Sequence, residues 1–161
     1  MGRILTLTVV VAALAAPAAL ADKPPGKQTK QTAAQECKAQ LKSMGPKDFR
    51  ALWGNLGQCV ALTAQQNQEN VKSAEEQCRA ARADDAEAFA EKWGKSRNAF
   101  GKCVSQTARA MAQEQQQETL KAAQTCKAER TKDRAAFLAT YGKGKRNAFA
   151  NCVKQKKSES G

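Results

Sequence analysis

Two long stretches of the chain, 55–82 and 97–130, are poor in large apolar residues and in helix breakers. Ala, Gln, Glu, Lys and Arg dominate both, no Pro interrupts them, and their only glycines, Gly57 and Gly101, fall in the first turn or so. These residue types propagate a helix with little loss of side-chain freedom, so the pattern predicts two long helices. In the first stretch Val60, Ala64, Asn67, Val71, Ala74, Cys78 and Ala81 alternate at spacings of four and three, a narrow heptad seam. Its middle, Gln65 to Asn70, is wholly polar, and so is Gln113 to Thr119 in the second. Counted from the cysteines, the two polar stretches fall opposite each other in an antiparallel hairpin. Two arrangements fit: a hairpin with a Gln/Asn-rich waist, or separate folded elbows strung on exposed helices.

Between and around these helices one pattern occurs three times. Copy one runs from Cys37 through Phe49, Trp53 and Gly54 to Cys59-Val60. Copy two runs from Cys78 through Phe89, Trp93, Gly94 and Asn98-Ala99-Phe100 to Cys103-Val104. Copy three runs from Cys126 through Phe137, Tyr141, Gly142 and Asn147-Ala148-Phe149 to Cys152-Val153. The paired aromatics stand four apart and share one helix face. The Gly after each pair suits a left-handed C-terminal cap. Pro46 fits the first turn of a short helix, Asp84 with Glu87 resembles a capping box, and Asn98 and Asn147 stand where a following helix needs an N-cap. Each copy therefore reads as an elbow: helix, short aromatic helix, Gly turn, helix. The fold class is all-α, with repeated helical elbows joined by long helices and stapled by disulfides. The expected organisation is a signal peptide over 1–21, a flexible linker over 22–33, repeats over 34–64, 65–108 and 109–155, and a flexible tail over 156–161.

Geometry restricts the cysteine pairing. Cys59 and Cys78 are nineteen residues apart on one expected helix, about 28 Å at 1.5 Å per residue. A disulfide needs Cα atoms within roughly 7 Å. Cys103 and Cys126 fail in the same way. The simplest remaining set closes each elbow: Cys37–Cys59, Cys78–Cys103 and Cys126–Cys152. No Cys-x-x-Cys and no His occur anywhere, which disfavours zinc and thiol-redox chemistry relative to structural cross-links.

Composition explains why staples are needed. Leu, Val and Phe number fifteen in residues 22–161, and Ile is absent there. Such a thin apolar complement struggles to offset chain entropy. The apolar run from Ile4 to Ala16, broken by Pro17 and followed by Ala19-Leu20-Ala21, has the form of a cleavable export signal and is shorter than a membrane span. Disulfides and an export signal agree in placing the chain outside the cell or in its envelope.

The absence of His removes the commonest general base and metal ligand. Asp84, Asp85, Glu87 and Glu91 supply carboxylates, but such residues in a first helical turn ordinarily sit solvated against the helix dipole. No phosphate loop or calcium loop is present. The reading is a non-catalytic protein with no cofactor. Net charge is the remaining feature. The full chain carries 27 Lys/Arg against 15 Asp/Glu, and the excess gathers near the C-terminus at Lys132, Arg134, Lys143, Lys145, Arg146, Lys154, Lys156 and Lys157. Such a face would contact an anionic envelope polymer, by counterion release, or a protein partner; no nucleic-acid-binding signature accompanies it. Trp53, Trp93 and Tyr141 read as elbow core rather than stacking platforms, because each has a helical partner.

The string Arg-Asn-Ala-Phe-x-x-Cys-Val, preceded by Phe-x-x-x-Trp/Tyr-Gly and an upstream Cys, resembles a type of small secreted bacterial protein, of actinobacterial kind. The stretches Ser96–Val104 and Gly144–Val153 carry the resemblance best, and in repeat form it covers most of residues 34–155. It implies export and a repeat architecture, and it transfers no activity or binding residue. Copy one departs from it, with Asn55-Leu56 in place of Asn-Ala-Phe, as terminal repeats often do. Two functional expectations follow. One is an exported structural or interaction protein with a basic C-terminal face. The other is a soluble ligand-binding protein using an inter-helical groove, which would bring an elbow aromatic to the wall of a pocket.

Overall fold

The structure, a computed structural model, describes residues 26–142 and 147–159. Among these the chain is all-α, with helices α1 (Gly26–Met44), α2 (Pro46–Trp53), α3 (Leu56–Asp84), α4 (Ala86–Trp93), α5 (Ala99–Lys132), α6 (Arg134–Tyr141) and α7 (Ala148–Ser158). Residues 1–21, expected to be an export signal, lie outside the described residues.

The elbows end and restart their helices through local chemistry. Asp85 and Asp133 each close one helix and cap the next: Asp85 accepts from the Glu87 and Ala88 N–H groups at 3.0 and 2.9 Å, and Asp133 from Ala136 N–H at 2.9 Å. The capping residue of α4 is thus Asp85, not Asp84, which is the last residue of α3. In copy one Gly45, at φ 81°, and Pro46 at the helix start make the same break. Gly54 and Gly94 adopt φ of 76° and 93°, the left-handed region that the sequence required of them. Gly142 does not; its φ is −84°. Asn55 caps α3 through Gln58 N–H at 2.9 Å. Asn98 and Asn147 occupy the cap positions of α5 and α7 but make no side-chain cap bond. Asn98 is already in the α-helical region, where its side chain cannot reach back to those N–H groups.

The three disulfides join Cys37–Cys59, Cys78–Cys103 and Cys126–Cys152, with Cα separations of 6.0, 6.0 and 5.9 Å. These are the pairs of the simplest set that helix length left open. They close loops of 22, 25 and 26 residues, each worth about 3.5 kcal/mol in the chain-entropy model. The largest fully buried side chains are Val153 and the cysteines Cys37, Cys59, Cys78, Cys126 and Cys152. The cross-links thus replace bulky aliphatic residues as the centre of the core as well as restraining the chain.

Tertiary packing resolves the choice between hairpin and beads. α3 and α5 run antiparallel, so elbow two lies at one end and elbows one and three meet at the other. There α1, α3, α5 and α7 form a four-helix section, with α1 against α3 and α5, and α7 against α5. Elbows one and three share a single core that includes Phe49, Cys59, Cys126, Phe137, Tyr141, Phe149 and Val153. Elbow two has its own small core of Cys78, Phe89, Ala99 and Cys103. The first and third repeats are therefore not separate beads. Helix also extends into the expected linker and tail. α1 begins at Gly26, inside the expected linker, and Ala33 is fully buried; α7 continues to Ser158, inside the expected tail.

Candidate functional site

Where α1, α3 and α5 cross at mid-length, the polar waist becomes a hydrogen-bonded seam. Asn70 Nδ2 donates to Gln115 Oε1 at 3.0 Å, and Gln115 Nε2 donates back to Asn70 Oδ1 at 3.2 Å. Thr119 Oγ1 donates to the Gln115 carbonyl at 2.8 Å, and Asn67 Nδ2 donates to Glu36 Oε1 at 3.4 Å. Gln40, Asn67, Asn70 and Thr119 are buried. A reciprocal amide pair satisfies both partners, which is what a buried amide needs. It also fixes the register of two helices that have few large side chains to key them together.

Beside this seam lies a cleft of about 500 Å³. Its walls carry Gln40, Asn67, Gln115, Gln116 and Thr119, with the half-buried Trp53 and the exposed Leu62 at the side, and the charged Glu36, Glu69, Glu118 and Lys157 also border it. Trp53 reaches in from α2 and donates through Nε1 to Gln40 Oε1 at 2.9 Å. This bond holds the indole at an angle that leaves part of it on the cleft wall. A second groove of about 480 Å³ runs between α1, α3 and α5 toward elbow two, and Glu36 and Asn67 border both spaces. Burial pushes the Glu36 carboxyl above the usual carboxylate range, and the hydrogen bond from Asn67 offsets part of the shift.

The elbow aromatics act mainly as core. Phe49, Phe89, Phe137 and Tyr141 are buried, while Trp53 and Trp93 are half-buried. Phe89–Trp93 and Phe137–Tyr141 lie 6.4 and 4.9 Å apart, ring centroid to ring centroid. Tyr141 donates its hydroxyl to Glu129 at 2.9 Å; burial first, and then this carboxylate, raise the phenol pKa.

Five of the eight basic residues named from the sequence lie among the described residues. Lys143, Lys145 and Arg146 lie outside the described residues. Lys132 and Arg134 are exposed and flank Asp133 where α5 meets α6. Lys154, Lys156 and Lys157 follow Cys152 on α7, which runs the other way. Lys156 faces carboxylates, 3.5 Å from Glu129 and 3.3 Å from Glu159, and Lys157 borders the waist cleft. Lys154 is exposed. The acidic residues of elbow two, Asp84, Asp85, Glu87 and Glu91, are all exposed, with Asp85 engaged as a cap. Among the described residues no cluster of His, Cys, Asp and Glu could hold a metal ion, and no helix is long and apolar enough to cross a membrane.

One contact has no local signal in the chain. Asp48 of elbow one, whose side chain is 5% exposed, meets Arg130 of elbow three, with Nη2 2.8 Å from Oδ1 and 3.1 Å from Oδ2. Arg130 also lies over the Phe149 ring, 5.1 Å from its centroid. The partners are 82 positions apart, and only the docking of the first elbow on the third brings them together.

No family model, curated protein or solved structure matches this chain.

Proposed function

We propose that this chain is an exported, non-catalytic binding protein whose ligand occupies the waist cleft. The observation that carries the reading is a concave space of about 500 Å³, within the usual range for small-ligand sites, walled by side-chain amides and the hydroxyls of Thr63 and Thr119 beside a tethered indole, with Glu36, Glu69, Glu118 and Lys157 also on its border. Amides offer donors and acceptors together, and the indole offers an apolar face. That combination, with three carboxylates against one ammonium on the border, disfavours an anion and suits a ligand rich in hydroxyl or amide groups, such as a neutral oligosaccharide. Export is supported by the signal-like first segment and by the three cross-links, which persist in oxidising compartments. The lack of His supports a binding role over a catalytic one.

The test uses Trp53 as its reporter. With Trp93 replaced by Phe, Trp53 is the only indole. Titration with neutral oligosaccharides should shift its emission, and Gln40→Ala with Asn67→Ala should abolish the shift. Unchanged emission across the series would refute the cleft as the site. A second reading, contact with polyanions, is favoured by exposed Lys132, Arg134 and Lys154. It calls for retention on heparin that falls steeply with salt, and absence of retention at low salt would dismiss it.

A further inference from the structure

The repeat allows each elbow to be compared with the others position by position. Four residues after the first Cys of copies two and three stand Arg82 and Arg130. Each guanidinium lies over the Phe of its own second arm, Arg82 5.3 Å from the Phe100 ring centroid and Arg130 5.1 Å from that of Phe149. In elbow three this platform is occupied. α2 of elbow one packs on α7, and Asp48 from α2 reaches Arg130. There Phe149, Ala150 and Val153 are 4, 7 and 1% exposed. Elbow two carries the same platform without a cover. Phe100 and Val104 are only half-buried, Gly101 is exposed, and Arg82 is exposed with no ion pair among the described residues.

We propose that elbow two is a self-docking surface, on which α4 of a second copy of this chain sits as α2 sits on elbow three, in a two-fold arrangement. α4 has the form of α2: eight residues, Phe at the fourth and Trp at the eighth. α2 itself is not free for the role, because it already covers elbow three of its own chain. At the place of Asp48 α4 has Ala88, and Glu91, three residues on, presents an exposed carboxylate on the same face. Charge selects the same partner. Residues 65–108 carry seven Lys/Arg against seven Asp/Glu, whereas 22–64 carry seven against three and 109–161 twelve against five. Of these three segments, only the one containing elbow two lets another copy approach without net repulsion. Two-fold symmetry then pairs Arg82 of each copy with Glu91 of the other, and the interface closes on itself.

Sedimentation equilibrium of the oxidised protein should show a reversible monomer–dimer exchange, with Kd on the order of 10–100 μM for so small an interface. Arg82→Glu and Glu91→Arg should each weaken it by about tenfold or more. Both residues are exposed, so far-ultraviolet circular dichroism should be unchanged. An equimolar mixture of the two variants should recover the dimer, because each supplies the charge the other has reversed. A monomer at every concentration overturns the proposal. So does a dimer indifferent to both reversals, or a mixture that stays monomeric.

Discussion

The unequal cores at the two ends predict an unequal response to losing a disulfide. Consider replacing Cys78 and Cys103 together by Ala. The chain-entropy model gives about 3.5 kcal/mol for this 25-residue loop, nearly the same as for the other two. If the loops were all that mattered, the three double variants would behave alike. The packing says otherwise. Elbow two rests on a core of Cys78, Phe89, Ala99 and Cys103, set apart from the large core by the polar waist. Opening it exposes little else, so the loss should appear as local unfolding. In hydrogen exchange, amides of α4 and the first turns of α5 should lose protection by a few hundredfold, since about 1.4 kcal/mol is tenfold. Amides around Cys126 and in α7 should keep theirs. Replacing Cys126 and Cys152 should instead lower protection in α1, α3, α5 and α7 together, because that bond lies inside the core that elbows one and three share. A uniform loss of protection after the Cys78/Cys103 replacement, extending through α7, would refute the division into two cores.

Asp48→Ala should destabilise the fold by about 2 kcal/mol, read as a shift of the denaturation midpoint at constant m. Removing one partner of a fully buried pair costs about 3–5 kcal/mol, and Arg130, 25% exposed, recovers part of that by rehydration. Tyr141 is the only tyrosine, so phenolate absorbance reports it alone and should rise above the ordinary tyrosine range in the folded protein. Because the folded phenol holds its proton more tightly than the unfolded one, stability should fall as pH climbs from the ordinary value through the folded one; ordinary titration of the native protein would contradict this. For Glu36 the raised carboxyl pKa has the corresponding sign, stability falling as pH rises through the carboxylate range. Glu36→Gln should therefore raise the melting temperature modestly at neutral pH and leave it unchanged in acid, where both side chains are neutral.

Much of the architecture was legible because its causes are local. Helix-forming composition marked α3 and α5, the aromatic pairs and following glycines marked the short helices, and the 1.5 Å rise per residue excluded cysteine pairs within α3 and within α5. The misreadings were local competitions that neighbouring groups decide: Asp85 over Asp84 as the cap of α4, and Asn98 and Asn147 at cap positions without cap bonds. Ala81, placed on the seam by spacing, is exposed, because at elbow two α3 packs on fewer neighbours than at the waist. Asn70, which was off that seam, is buried against Gln115.

The candidate sites divide along the same line. Residue types fixed the excess of positive charge, the polar waist and the lack of imidazole, since these are counts along a chain. Where a charge or an amide sits in space depends on which helices cross, and that depends on packing between residues far apart in sequence. Docking of elbow one on elbow three created the Asp48–Arg130 pair, set Trp53 against Gln40 at the cleft wall and left elbow two uncovered. Local propensity determined the three elbows; burial of the shared core, a property no single elbow has, determined which two of them meet.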